Sequence, residues 1–163
     1  MIDTILTIVS AVCTVISMIG AHKSIKYYKK SKQLTVYANT NVALVEVQKI
    51  IDTFTEILKL ANTARSQRGT NLAKQLGTYG ESIRASINVI RDKLSVEDFR
   101  VIENALVSRE IKVEDYVDSF ISGDILVDGK LTIDYKFQLC QKRFYSIQQI
   151  IKERVEKIEE NLS

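Results

Sequence analysis

From Thr4 to Ala21 the chain runs through 18 residues without a formal charge, rich in Ile, Val and Met. As a helix, such a run is near the minimum that bridges about 30 Å of hydrocarbon, so it limits the possible folds more than any other feature. Charge is distributed unevenly around it: Met1-Ile2-Asp3 precedes the run, whereas His22, Lys23, Lys26, Lys29, Lys30 and Lys32 follow it. A cleavable export signal carries its cations before its apolar core. The opposite order predicts a retained single-pass anchor with the N-terminus outside and the C-terminal part in the cytoplasm. Tyr27 and Tyr28 suit the headgroup layer, where rings and long cationic stems each find an apolar and a wet side. Lys23, Lys26, Tyr27, Tyr28, Lys29, Lys30 and Lys32 therefore form a predicted membrane-surface collar. Subtracting its five lysines from the net charge of +3 leaves −2, so the body of the chain is not a basic nucleic-acid-binding domain.

Within the apolar run the polar residues keep to one line. Asp3, Thr7, Ser10, Thr14, Ser17 and the small Ala21 follow at steps of 4, 3, 4, 3 and 4, while Ile5, Leu6, Ile8, Val9, Val12, Val15, Ile16 and Ile19 cover the remainder. Small and hydroxyl residues at this spacing let helices approach closely in lipid and hydrogen-bond across the seam. Asp3, Thr7, Ser10, Thr14 and Ser17 are thus predicted to face other copies. In the sharper reading, several copies turn the stripe toward a central axis and line a water-filled pore, with a ring of Asp3 at its outer mouth. In the plainer one, the hydroxyls bond back to their own helix and the stripe is at most a dimer seam.

The remainder reads as mainly helical. Residues 22–38 continue the membrane helix as a basic stalk, and 39–163 form a cytosolic helical domain whose first helix takes its cap from Asn39-Thr40-Asn41. Leu44, Val47, Ile51, Phe54, Leu58 and Ala61 mark the buried face of that helix, which is expected to end near Arg68-Gly69. A third helix presents Leu72, Leu76, Tyr79, Ile83, Ile87, Ile90 and Leu94. Ser95-Val96-Glu97-Asp98 resembles a capping box that opens a short helix with Val101, Ile102, Ala105 and Leu106, and another runs from Val113 to Ile121. Asp128-Gly129 between apolar flanks predicts a β-hairpin. A last helix over 134–161 carries Phe137, Cys140, Phe144, Ile147, Ile151, Arg154 and Ile158. The expected fold is one N-terminal transmembrane helix, then a cytosolic helical bundle with a small hairpin insertion.

The chemistry of catalysis is sparse. The sequence holds one histidine, His22, at the predicted membrane border, and no glycine-rich phosphate loop. No enzyme, metal or cofactor is expected. Cys140 falls on an apolar stripe and reads as an inert thiol, and Glu97, Asp98, Asp115 and Asp118 as helix-start or solvated charges. The segment Arg65-Ser66-Gln67-Arg68-Gly69-Thr70-Asn71 combines two guanidiniums with polar donors before a helix start. Arg65, Arg68, Thr70 and Asn71 are therefore candidate ligands for an anion such as a nucleotide or oligonucleotide phosphate, the other reading being an exposed interhelical turn. Arg84, Arg91 and Arg143 would join them if copies assemble.

One membrane helix (Thr4 to Ala21), a Lys-rich collar and a compact helical domain together resemble the small membrane effectors of bacterial anti-phage and CRISPR-linked defence, among them the Hailong channel effector and the pore-forming accessory proteins of type VI CRISPR systems. The resemblance implies a homo-oligomer whose membrane helices form a pore or channel, gated by a nucleotide, an oligonucleotide or a partner protein. Some of those accessory proteins have a HEPN-like helical domain, whose nuclease versions carry an R-x(4–6)-H motif. Here no histidine follows any arginine, so RNase activity is not expected. The alternative from another class is a membrane-tethered adaptor that recruits a cytosolic protein.

Overall fold

The computed structural model describes residues 2–63, 70–107 and 110–162, with the side chains of 2–12, 63 and 70 outside the described set. Five helices and one hairpin follow in order: α1 (Ile2–Thr63), α2 (Thr70–Lys93), α3 (Val96–Leu106), α4 (Val113–Ser122), β1 (Leu126–Val127), β2 (Lys130–Leu131) and α5 (Tyr135–Glu160). The mainly helical class with a small hairpin is as the sequence predicts.

The helix start expected at Asn39-Thr40-Asn41 is not there: the segments expected as anchor, stalk and first bundle helix are one α1 of 62 residues, about 90 Å long. Thr40 and Asn41 do not cap because their side chains bond backward. Thr40 Oγ1 donates to the Val36 carbonyl at 2.8 Å and Asn41 Nδ2 to that of Tyr37 at 3.1 Å. With no proline in the chain, nothing interrupts the backbone ladder.

The core lies against the C-terminal half of α1. Ala43, Val47, Ile50, Ile51, Phe54 and Ile57 are buried there, while Leu44, Leu58 and Ala61 are only partly covered, so the buried stripe is rotated slightly from the predicted one. α2 returns along α1, and Ser86 Oγ donates to Glu46 Oε2 across the pair at 2.8 Å. Lys49 grips the other oxygen at 2.5 Å. Those two contacts hold the Glu46 carboxyl below its ordinary range, Lys49 contributing most, against an opposing effect of burial. α5 lies antiparallel on α1, with Gln148 Nε2 on Gln48 Oε1 at 2.5 Å and its C-terminal turns beside residues 29–36. The Phe54 ring sits 5.1 Å from Phe137, 5.7 Å from Phe144 and 6.3 Å from Phe120, joining α1, α4 and α5.

Local signals in the smaller elements are confirmed. Ser95 Oγ accepts from the Asp98 amide at 3.1 Å and caps α3. On α3, Ile102 and Leu106 are buried, whereas Val101 is exposed. Asp128 (φ 51) and Gly129 (φ 70) form a turn with both central residues left-handed, pairing Leu126 with Leu131 and Val127 with Lys130. Asp134 Oδ1 accepts from the Phe137 amide at 2.8 Å, capping α5, and from the Tyr116 hydroxyl at 2.8 Å, which ties α4 to that cap.

α4 crosses α2 at Gly80, where a methyl group would lie 2.7 Å from Ile121 Cγ1, 3.1 Å from Phe120 Cβ and 3.2 Å from the Val117 carbonyl oxygen. Gly80→Ala is expected to cost about 1 to 3 kcal/mol of unfolding free energy through overpacking. Gly77→Ala meets only the Ile121 carbonyl at 3.8 Å and is expected to add up to about 1 kcal/mol through helix propensity. Urea unfolding of the two variants checks the order.

Candidate functional site

The bundle grips α1 from about Val36 onward, and Thr40 and Ala43 are already buried. Every residue from Cys13 to Thr35 is exposed, an arm about 35 Å long. Val15, Ile16, Met18, Ile19 and Ile25 keep 52–67 % of their surface uncovered. The helical backbone places positions 3, 7, 10, 14 and 17 on one face. Thr14 and Ser17 are exposed there, while the side chains of Asp3, Thr7 and Ser10 lie outside the described residues.

Among the described residues no helix is long and apolar enough to cross a membrane. Described side chains on α1 begin at Cys13, so only the second part of the apolar run Thr4–Ala21 is among them. For residues 13–35 the structure establishes an exposed helical arm, not the transmembrane span expected over 1–21.

Where α1 hydroxyls have a described partner, they bond back to their own helix. Thr35 donates to the Ser31 carbonyl at 3.0 Å, Thr53 to that of Lys49 at 2.8 Å and Thr55 to that of Ile51 at 3.0 Å. Such a bond satisfies the donor and leaves the oxygen on the helix surface as an acceptor. It is compatible with a helix seam and with a polar lining alike.

The collar residues Lys23, Lys26, Tyr27, Tyr28, Lys29, Lys30 and Lys32 are all exposed on the arm. They are not equivalent. Lys29 and Lys32 border a groove against α5, into which Arg154 also opens. Sequence periodicity alone did not join Arg154 to those lysines, because it does not tell which end of α5 returns to the stalk.

The predicted anion loop lies for the most part outside the described residues. Arg65 and Arg68 lie outside the described residues, as does the side chain of Thr70, and Asn71 is exposed at the start of α2. Arg84 pairs with Asp118, and Arg91 pairs with Glu114 at 2.7 Å while stacking 5.3 Å above the Phe99 ring. Within one copy these two arginines fasten α4 and α3 to α2. Arg143 Nε is buried without a hydrogen-bond partner among the described residues.

A cavity of about 520 Å³ lies between α4, the hairpin and the start of α5. Its two best hydroxyls are internally committed, Tyr116 to Asp134 and Ser119 to the Tyr116 carbonyl at 2.6 Å. Burial, then the Asp134 carboxylate, push the Tyr116 phenol far above its usual range. Tyr116 and Ser119 thus act there as structural donors within the fold. Glu97, Asp98, Glu114 and Asp115 sit in the first turns of α3 and α4, the helix-start positions that suit acids.

No protein-family model, curated protein or solved structure matches this chain.

Cys140 is fully buried, and burial with the nearby Asp134 charge pushes its thiol up to about 12. In a Cys13→Ser variant at neutral pH, Cys140 is expected to react with maleimide at least about a hundredfold more slowly in the folded protein than after unfolding. Equal rates would contradict the packing of α5.

Proposed function

We propose that this chain is a homo-oligomeric membrane effector in which the N-terminal part of α1 crosses a bilayer and, with copies of itself, forms a pore or channel. The observation that carries this reading is the exposed arm. Val15, Ile16, Met18 and Ile19 stand uncovered on a helix that leaves the bundle, and lysines follow them from Lys23 onward. A lone helix draws most of its stability from burying an apolar face, so an arm of this composition calls for lipid, other copies, or both around it. Lipid meets the apolar sides, Lys23 and Lys26 lie at the height of the headgroups, and the hydroxyl stripe is the side left to turn inward.

The unbroken backbone supports control from the cytoplasmic side. α1 has no cap or proline between the stripe and Phe54, so a rotation or tilt of the bundle reaches the membrane segment without a hinge to absorb it. The bundle then serves as assembly platform and sensor for a nucleotide, oligonucleotide or partner protein. The likeness in layout to bacterial anti-phage effectors supports a role for such a channel in defence.

Ion flux from vesicles holding the purified chain tests the pore. Ser10→Leu combined with Thr14→Leu removes two hydroxyls and fills the stripe, and flux is expected to fall about tenfold or more, with the bundle's melting temperature unchanged. Flux equal to the parent, together with full function after residues 1–21 are exchanged for an unrelated single-pass anchor, would instead make the chain a tethered adaptor.

A further inference from the structure

Where α1 leaves the bundle, a groove of about 370 Å³ opens between its residues 29–36 and the last turns of α5. That is within the size range of small-molecule sites. Lys29 and Lys32 from α1 and Arg154 from α5 border it above an apolar floor of Val36 and Ile158, and among the described residues no carboxylate lines it. Neither lysine has an ion pair among the described residues. Arg154 is oriented from α3, with Nε 3.1 Å from Asp98 Oδ1 and Nη2 3.4 Å from Oδ2. That pair occupies one edge of the guanidinium and leaves the Nη1 side directed elsewhere. Two ammonium groups and an oriented guanidinium, drawn from two helices, make a donor set suited to phosphate oxygens.

We infer that this groove binds a soluble phosphate-bearing ligand, which bridges the arm to the end of α5. The height of the cations along α1 selects a soluble source over a lipid headgroup. Lys29 and Lys32 lie 8 and 11 residues beyond Ala21, about 12 and 16 Å along the helix axis. Headgroups fill only about 5 to 8 Å outside the hydrocarbon on each side. This choice of source rests on the membrane reading above, whereas the binding of phosphate does not. The competing role for the lysines is to neutralise the C-terminal carbonyls of α5, which needs no ligand.

Titration calorimetry of the full-length chain in neutral detergent, with inorganic pyrophosphate at constant ionic strength, separates these roles. Saturable binding is expected, weakened about tenfold or more by Lys29→Gln with Lys32→Gln and changed less than about twofold by Lys23→Gln with Lys26→Gln. No saturable binding by the parent overturns the proposal, as does equal weakening in both double variants. The source is tested with the chain in phosphatidylcholine vesicles, with and without added phosphatidylglycerol. Pyrophosphate binding retained in both supports a soluble ligand. Binding lost when phosphatidylglycerol is present assigns the groove to lipid and overturns it. Failure of the pore reading is recognised separately, as unchanged flux in the Ser10 and Thr14 variant with pyrophosphate binding intact.

Discussion

One uninterrupted helix has to satisfy two environments, and the rest of the molecule is arranged around that constraint. Over its C-terminal half α1 is the central rod of a bundle, with Val47, Ile50, Phe54 and Ile57 buried. Over residues 13–35 it is bare. A helix satisfies its own backbone hydrogen bonds in either setting, which is why the same element can pass from a packed core to an exposed arm without a change of structure. What changes along it is the surface: apolar with a hydroxyl stripe, then cationic, then striped with core residues.

The grip on that rod is concentrated. Phe54 meets rings from α4 and α5, Glu46 is bound from α2 by Ser86, and Gln48 is bound from α5 by Gln148. α4 does not reach α1 chiefly by its own length. It is set by the close approach at Gly80 and by the arginine pairs from α2, while Tyr116 locks it to the cap of α5. A ligand or partner that shifts α5 therefore acts on α1 at two places, the aromatic cluster near its middle and the groove at residues 29–36.

Signals confined to a few residues were legible in the sequence. Asp128-Gly129 specified its turn because both positions need left-handed backbone, and Ser95 specified the start of α3 because its hydroxyl reaches the Asp98 amide. The apolar spacing from Leu72 to Leu94 and from Phe137 to Ile158 located α2 and α5 closely. The Asn39-Thr40-Asn41 cap failed because the same side chains that cap a helix also bond back within one, and burial of Thr40 decided between the two. The roles of Arg84 and Arg91 were not legible, since their carboxylate partners are 34 and 23 residues away and are brought near only by the α2–α4 crossing. The groove of Lys29, Lys32 and Arg154 needed the antiparallel return of α5, which a periodic pattern does not encode.

The most direct test of membrane assembly through α1 is the mass of the detergent-solubilised chain, from light scattering corrected for bound detergent, beside that of a chain beginning at Leu34. Assembly through the arm predicts a closed oligomer larger than a dimer for the full chain and a smaller species once the first 33 residues are removed. A monomer in both would leave the hydroxyl stripe with no axis to face, and would contradict the pore.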